Sequence, residues 1–145
     1  MIKEVEVGEL QRVSEVGKQF FEESQIPGKM DSEVFCKNWK VLIEVGMGKI
    51  YGVYQDGLFV GGLGALITPD LNDGKKVATE AFWFVSPQYR GAGIKLLLFF
   101  LNHAKEIGCE RVIMVHLFNS HSEKLAKLYQ NLGFQPVETH YLKNL

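Results

Sequence analysis

Residues 87–95 read PQYRGAGIK and lie between two apolar runs, FWFV before and LLLFFL after. A strand entering a helix through such a junction makes an anion site. The first N–H groups of a helix have no intrahelical acceptor, and the helix dipole leaves partial positive charge there. Gly91 and Gly93 would let the backbone approach a ligand without a Cβ in the way, and Arg90 adds a fork suited to phosphate oxygens. Lys95 adds a further cation. Taken alone, the glycines fit a tight strand-to-helix connection with a solvated arginine. Pro87, Tyr89, Arg90 and both glycines together favour a pyrophosphate site. Neither GxxxxGK[ST] nor GxGxxG occurs, so this is not a P-loop or a dinucleotide fingerprint.

Glu80 is a lone carboxylate in the apolar run VATEAFWFV. Burial would raise its pKa toward the range of a general base, directly or through a water. The competing reading places it at an exposed strand start, paired with Lys75 or Lys76. His116, near a strand end, and His121 just beyond are further candidates for the base, although each suits an ordinary polar position near a cleft. The four histidines lack a familiar metal-ligand spacing, so no metal is expected. Cys36 and Cys109 have no CxxC partner or evident activating base, which makes them free thiols rather than nucleophiles.

These residues need a frame to hold them. Length 145 fits one domain, 1–145, with a single core, and 46% hydrophobic with 23% charged residues is the profile of a globular protein. A net charge of −1 gives no bulk attraction to nucleic acid or an anionic membrane. No apolar run is long enough to span a bilayer and the N-terminus lacks a signal-like segment, so a cytoplasmic protein is expected. Helical spacing of Leu10, Val13, Val16, Phe20 and Phe21 predicts a helix over 9–23, and Asp31-Ser32 can cap a second that runs to Gly46. Asp56-Gly57 marks a hairpin, while Gly61, Gly62 and Gly64 suggest a bulge or close packing. The apolar strand over 77–85 reads as central. It leads to a helix over 91–107 and a parallel strand over 111–117. A helix ending at Gly133 and a last strand or hairpin complete the chain. The expected fold is α/β, a mixed sheet with helices on both faces. Leu98 and Phe99 fall outside the simplest core stripe, which leaves a contact with a second copy, a homodimer, open.

Residues 85–94, VSPQYRGAGI, resemble the acyl-CoA-binding motif of the GNAT family of N-acetyltransferases. Arg90 and Gly93 fill its first and fourth places, and Lys95 stands where a small residue is usual. The register Gln88-Gly91-Gly93 also fits, but the surrounding Pro87, Tyr89 and Ile94 favour Arg90. LAKLYQNLGF resembles the family's last helix, through Tyr129, Gly133 and Phe134. An asparagine commonly lies seven residues before that tyrosine; Ser122 holds the place here, and Asn119 lies ten before.

The resemblance implies a sheet of about six to seven strands and acetyl-CoA as co-substrate. It implies that backbone of Trp83, Phe84 and Val85 holds pantetheine, with an N–H near Phe84 or Val85 facing the oxyanion. Arg90, Gly91, Ala92, Gly93, Ile94 and Lys95 would hold the pyrophosphate, and Asn119 or Ser122 would contact pantetheine. Tyr129 would protonate the departing thiolate, a sensible match for a phenol of pKa ~10, and Glu80 would be the base. The implied reaction is direct acetyl transfer to a primary amine, small or on a protein. A non-catalytic acyl-CoA-binding module is the alternative, motivated by Lys95 and Ser122. An interaction domain using LLLFFL is a third reading. Glu22, Glu23, Asp31 and Glu33 could form an acidic rim for a cationic acceptor.

Overall fold

Asp56 and Gly57 both take positive φ, 50° and 79°, as a two-residue turn between right-twisted strands requires. The hairpin they close joins β2 (Gly48–Gln55) to β3 (Leu58–Pro69), with Gln55 opposite Leu58. The protein, a computed structural model, is described over residues 1–24, 26–117 and 122–145. These fall into two units, Met1–Val115 and His116–Leu145.

In the first unit, β1 (Ile2–Glu4) precedes α1 (Leu10–Glu23) and α2 (Ser32–Glu44), and the hairpin follows. The Asp31 side chain accepts from Val34 N–H at 3.1 Å, the cap its residue type predicts. β4 (Lys76–Val85), a 3-10 turn over Pro87–Ala92, α3 (Gly93–Glu106) and β5 (Arg111–Ile113) complete the unit. Proline at the start of the 3-10 turn fixes φ where no N–H is needed, and Tyr89 N–H donates to Ser86 O at 2.8 Å. The α-helix therefore begins at Gly93 rather than Gly91.

The described residues form one sheet of five strands in the order β1-β2-β3-β4-β5, not six to seven. All pairs are antiparallel except β4 and β5, which are parallel as the intervening helix dictates. β4 is an interior strand, with β3 on one side and β5 on the other, as its apolar run predicts. The strand expected over 111–117 pairs only through Ile113, and residues 135–145 form no strand. Val137, Tyr141 and Leu142 lie exposed there, and β propensity without a partner edge does not make a strand.

Side chains alternate across β4 and divide the core. Phe82 and Phe84 face α1 and α2, where Phe84 stacks on Phe20 at 5.6 Å and Phe82 meets the edge of Trp39 at 5.4 Å. Trp83 and Val85 face α3 and lie against Gly93. Also on the α3 side, Tyr51 packs on Phe100 at 5.6 Å and its hydroxyl bonds His103 Nδ1 at 2.8 Å. Helices thus cover both faces. Leu96, Leu97 and Phe100 are fully buried, whereas Leu98 and Phe99 remain partly exposed.

The second unit holds α4 (Ser122–Asn131), whose exit at Gly133 has φ 87°. Phe134 N–H donates back to Tyr129 O at 2.9 Å, closing the helix end.

Candidate functional site

Two irregularities shape the open side of β4. Gly64 pairs with Phe82 and Ala65 with Glu80, so Ala81 is an extra residue bulged out of the β3–β4 ladder. On the other side, pairing with β5 ends at Thr79 opposite Ile113. On that edge β4 therefore continues for six residues, 80–85, with no strand beside it among the described residues, while β3 pairs its other edge.

Which backbone groups face that gap follows from the ladder. Ser86 N–H donates to Val60 O at 2.8 Å, which makes Ser86, and by alternation Phe84, the residues bonded to β3. Trp83 and Val85 accordingly turn their N–H and C=O groups toward the gap. Phe84 has its ring in the core, 4% exposed, and its carbonyl against β3.

Glu80 sits where the strands part. Its Oε2 accepts from Val115 N–H at 2.7 Å. Burial raises its carboxyl to a pKa of about 7, and the Val115 hydrogen bond opposes that rise without cancelling it. The lysines that might have neutralised it are engaged elsewhere: Lys75 pairs with Glu110 at 3.2 Å, and Lys76 donates to Ile107 O at 2.9 Å. A carboxyl that is about half ionised near neutrality can accept a proton and release it.

At the far end of the gap, residues 90–95 enter α3. Arg90, Gly91, Ile94 and Lys95 are exposed, Ala92 is half-buried and Gly93 is buried. A Cβ on Gly91 would meet nothing within 4 Å, and one on Gly93 would make ordinary contacts, the nearest Trp83 Cζ2 at 3.8 Å. Gly93 has helical dihedrals, φ −60° and ψ −43°. Neither glycine is demanded by the protein's own backbone or packing. Arg90 also lines a shallow depression with Gln19, Phe20, Glu23, Phe84 and Val85.

Tyr129 lies in the second unit, buried, with its ring 5.3 Å from that of Phe134. His116 is exposed in the same unit. Asn119 and His121 lie outside the described residues, as does the side chain of Ser122. The acidic rim is not uniformly acidic. Asp31 is committed to capping α2, and Glu22 lines an open pocket with Lys18 and Lys29. Both cysteines are free, and burial pushes the Cys109 thiol up, away from nucleophile range. No group of three metal-ligating residues occurs among the described residues, and no helix there is long and apolar enough to cross a membrane.

Sequence reasoning did not single out Ala81 or Val115. A bulge is visible only once two strands are in register, and Val115 meets Glu80 across 35 positions of chain.

The model of the acetyltransferase (GNAT) family matches residues 13–134. The chain belongs to that family. No curated protein matches it. Among solved structures, this GNAT chain resembles a predicted acetyltransferase with acetyl-CoA from Clostridium acetobutylicum at 14% identity and TM-score 0.78, over 99% of this chain and 95% of that one. AAC(6')-Iy in complex with the bisubstrate analogue CoA-S-monomethyl-acetylneamine matches at 20% identity and TM-score 0.76, over 100% and 97%. Glucosamine-6-phosphate N-acetyltransferase from Arabidopsis thaliana matches at 19% identity and TM-score 0.73, over 99% and 97%. At these identities the likeness is one of fold. The GNAT match spans both units and includes Glu80, the 90–95 junction and Tyr129.

Proposed function

We propose that the chain is an acetyl-CoA-dependent N-acetyltransferase that transfers the acetyl group directly to a primary amine. The observation that carries this reading is the gap beside β4. It offers the Trp83 and Val85 backbone to an extended amide-bearing ligand, has Glu80 at its closed end, and ends at the Arg90-bearing turn that leads into α3. Pantetheine has amides to pair with such an edge, and the pyrophosphate of CoA suits N–H groups of 90–95. Solved relatives of the fold that hold acetyl-CoA or a CoA conjugate support the same ligand.

In this reading Glu80 takes the proton from the ammonium, directly or through a water, leaving a neutral amine to attack the thioester carbonyl. An N–H of the open β4 edge, Val85 foremost, faces the developing oxyanion. Tyr129, by its place in the family's last helix, gives its proton to the departing thiolate. No covalent enzyme intermediate is needed, and neither cysteine is poised to form one. The acceptor is a primary amine, of a small molecule or of a protein.

The test is a calorimetric titration with acetyl-CoA followed by a thiol-release assay over an amine panel. Binding with turnover is the expected result. Absence of acetyl-CoA binding overturns the reading, and binding without turnover replaces it with an acyl-CoA-binding module.

A further inference from the structure

The parallel ladder between β4 and β5 stops at Thr79 and Ile113, yet the chain leaving β5 is not released there. Two residues on, Val115 N–H is held by Glu80 Oε2 at 2.7 Å. In a continued ladder a β4 carbonyl would take this donor. The β4–β5 ladder has ended at Thr79 and Ile113, and a β4 side chain accepts instead. We propose that Glu80 is a staple as well as a base: its carboxylate fixes where the β4 gap begins and how far Val115 stands from β4. It is then a positioning residue for the acyl-CoA, acting through Val115.

Three features support this. The bond is short and well within the range of a strong N–H to carboxylate bond. It spans 35 positions and joins two backbone segments at the point where they diverge. Lys75 and Lys76, the cations nearest in sequence, are committed to Glu110 and to the Ile107 carbonyl, which leaves the carboxylate to this task. The consequence for ligand affinity rests on the reading of the gap as the acyl-CoA site, whereas the staple itself does not.

The two roles of Glu80 need different parts of the side chain. Glutamine keeps its length and an acceptor oxygen but cannot serve as a base. Alanine loses both, and aspartate keeps the charge but falls one methylene short. Amide exchange at Val115 by NMR, acetyl-CoA affinity and kcat would be measured for Glu80→Gln, Glu80→Ala and Glu80→Asp. The glutamine variant is expected to keep slow exchange at Val115 and near-native acetyl-CoA affinity while losing turnover. The alanine and aspartate variants are expected to exchange roughly tenfold faster at Val115 and to bind acetyl-CoA about tenfold more weakly, the scale of one lost hydrogen bond.

Should alanine fail to fold, aspartate decides the matter. Native exchange at Val115 in a folded alanine or aspartate variant would overturn the staple. So would equal acetyl-CoA affinity in the glutamine, alanine and aspartate variants. If the wild-type protein binds no acetyl-CoA, the functional reading fails, and the Val115 comparison still decides whether the staple exists.

Discussion

The two sides of β4 use glycine for opposite reasons. On the β3 side the fold requires it. A Cβ on Gly61 would stand 2.7 Å from Val85 Cα, and one on Gly64 would stand 2.4 Å from the Phe82 ring. That ring cannot retreat, because Phe84, Trp39 and Phe35 surround it at 5.3, 5.4 and 5.9 Å. On the open side, Gly91 and Gly93 could each carry a methyl without conflict. Neither position needs glycine for the fold, which the proposed pyrophosphate contact would account for. The same contrast holds for charge. The β3 side of β4 is apolar ladder and aromatic packing, whereas the open side keeps Glu80 half-protonated near neutrality and presents Arg90.

If that division is right, substitutions on the two sides should separate function from stability. The largest effect is expected from Glu80→Gln, which should lower kcat/KM by about 10²–10⁴, the usual contribution of a positioned base. For the wild type, kcat/KM should rise as pH passes about 7, where Glu80 loses its proton. Stability should run the other way. The unfolded carboxyl ionises near 4.5 and the folded one near 7, so the folded state holds more protons between these values. Stability from this group is complete below 4.5 and declines as pH rises to about 7. Glu80→Gln should flatten that part of a melting-temperature profile; an unchanged slope would refute the assignment.

Arg90→Glu comes next. Replacing a phosphate-binding fork by an anion should weaken acetyl-CoA binding to the folded protein by roughly 10–100-fold or more. Retained affinity would exclude Arg90 from the acetyl-CoA site. Gly64→Ala should do the reverse, costing about 1–3 kcal/mol by overpacking and lowering the melting temperature by a few degrees, with acetyl-CoA affinity of the folded protein intact. The smallest and most discriminating change is Gly93→Ala. Alanine suits the helical dihedrals there and should leave stability equal or slightly raised, while acetyl-CoA affinity falls on the order of tenfold, or 1.4 kcal/mol. A destabilised Gly93→Ala protein with native affinity would erase the difference between the two sides.

Much of this was legible before folding was considered. The Asp56-Gly57 turn, the Asp31 cap and the helix stops at Gly46, Gly108 and Gly133 are local chemistry, and positive φ at these glycines fits that reading. The Pro87–Lys95 junction and Tyr129-Gly133-Phe134 are contiguous motifs, readable because helix entry and exit are set by neighbours in sequence. The strand count was not legible. Residues 114–117 and 135–145 have strand-like composition, and only the presence or absence of a partner edge decides such segments.

Local sequence patterns are enough to establish a glycine-bearing strand-to-helix junction beside Arg90, a carboxylate in an apolar strand, and the helices' apolar stripes and caps. Tertiary structure alone decided which edge of β4 is open, because a one-residue bulge at Ala81 and the end of pairing at Thr79 are properties of two strands in register. It also decided Glu80. One sequence allowed an exposed ion pair with Lys75 or Lys76, or a desolvated carboxyl. Burial and the long-range Val115 contact chose the second, since desolvation is set by whatever packs around a group and not by its neighbours along the chain.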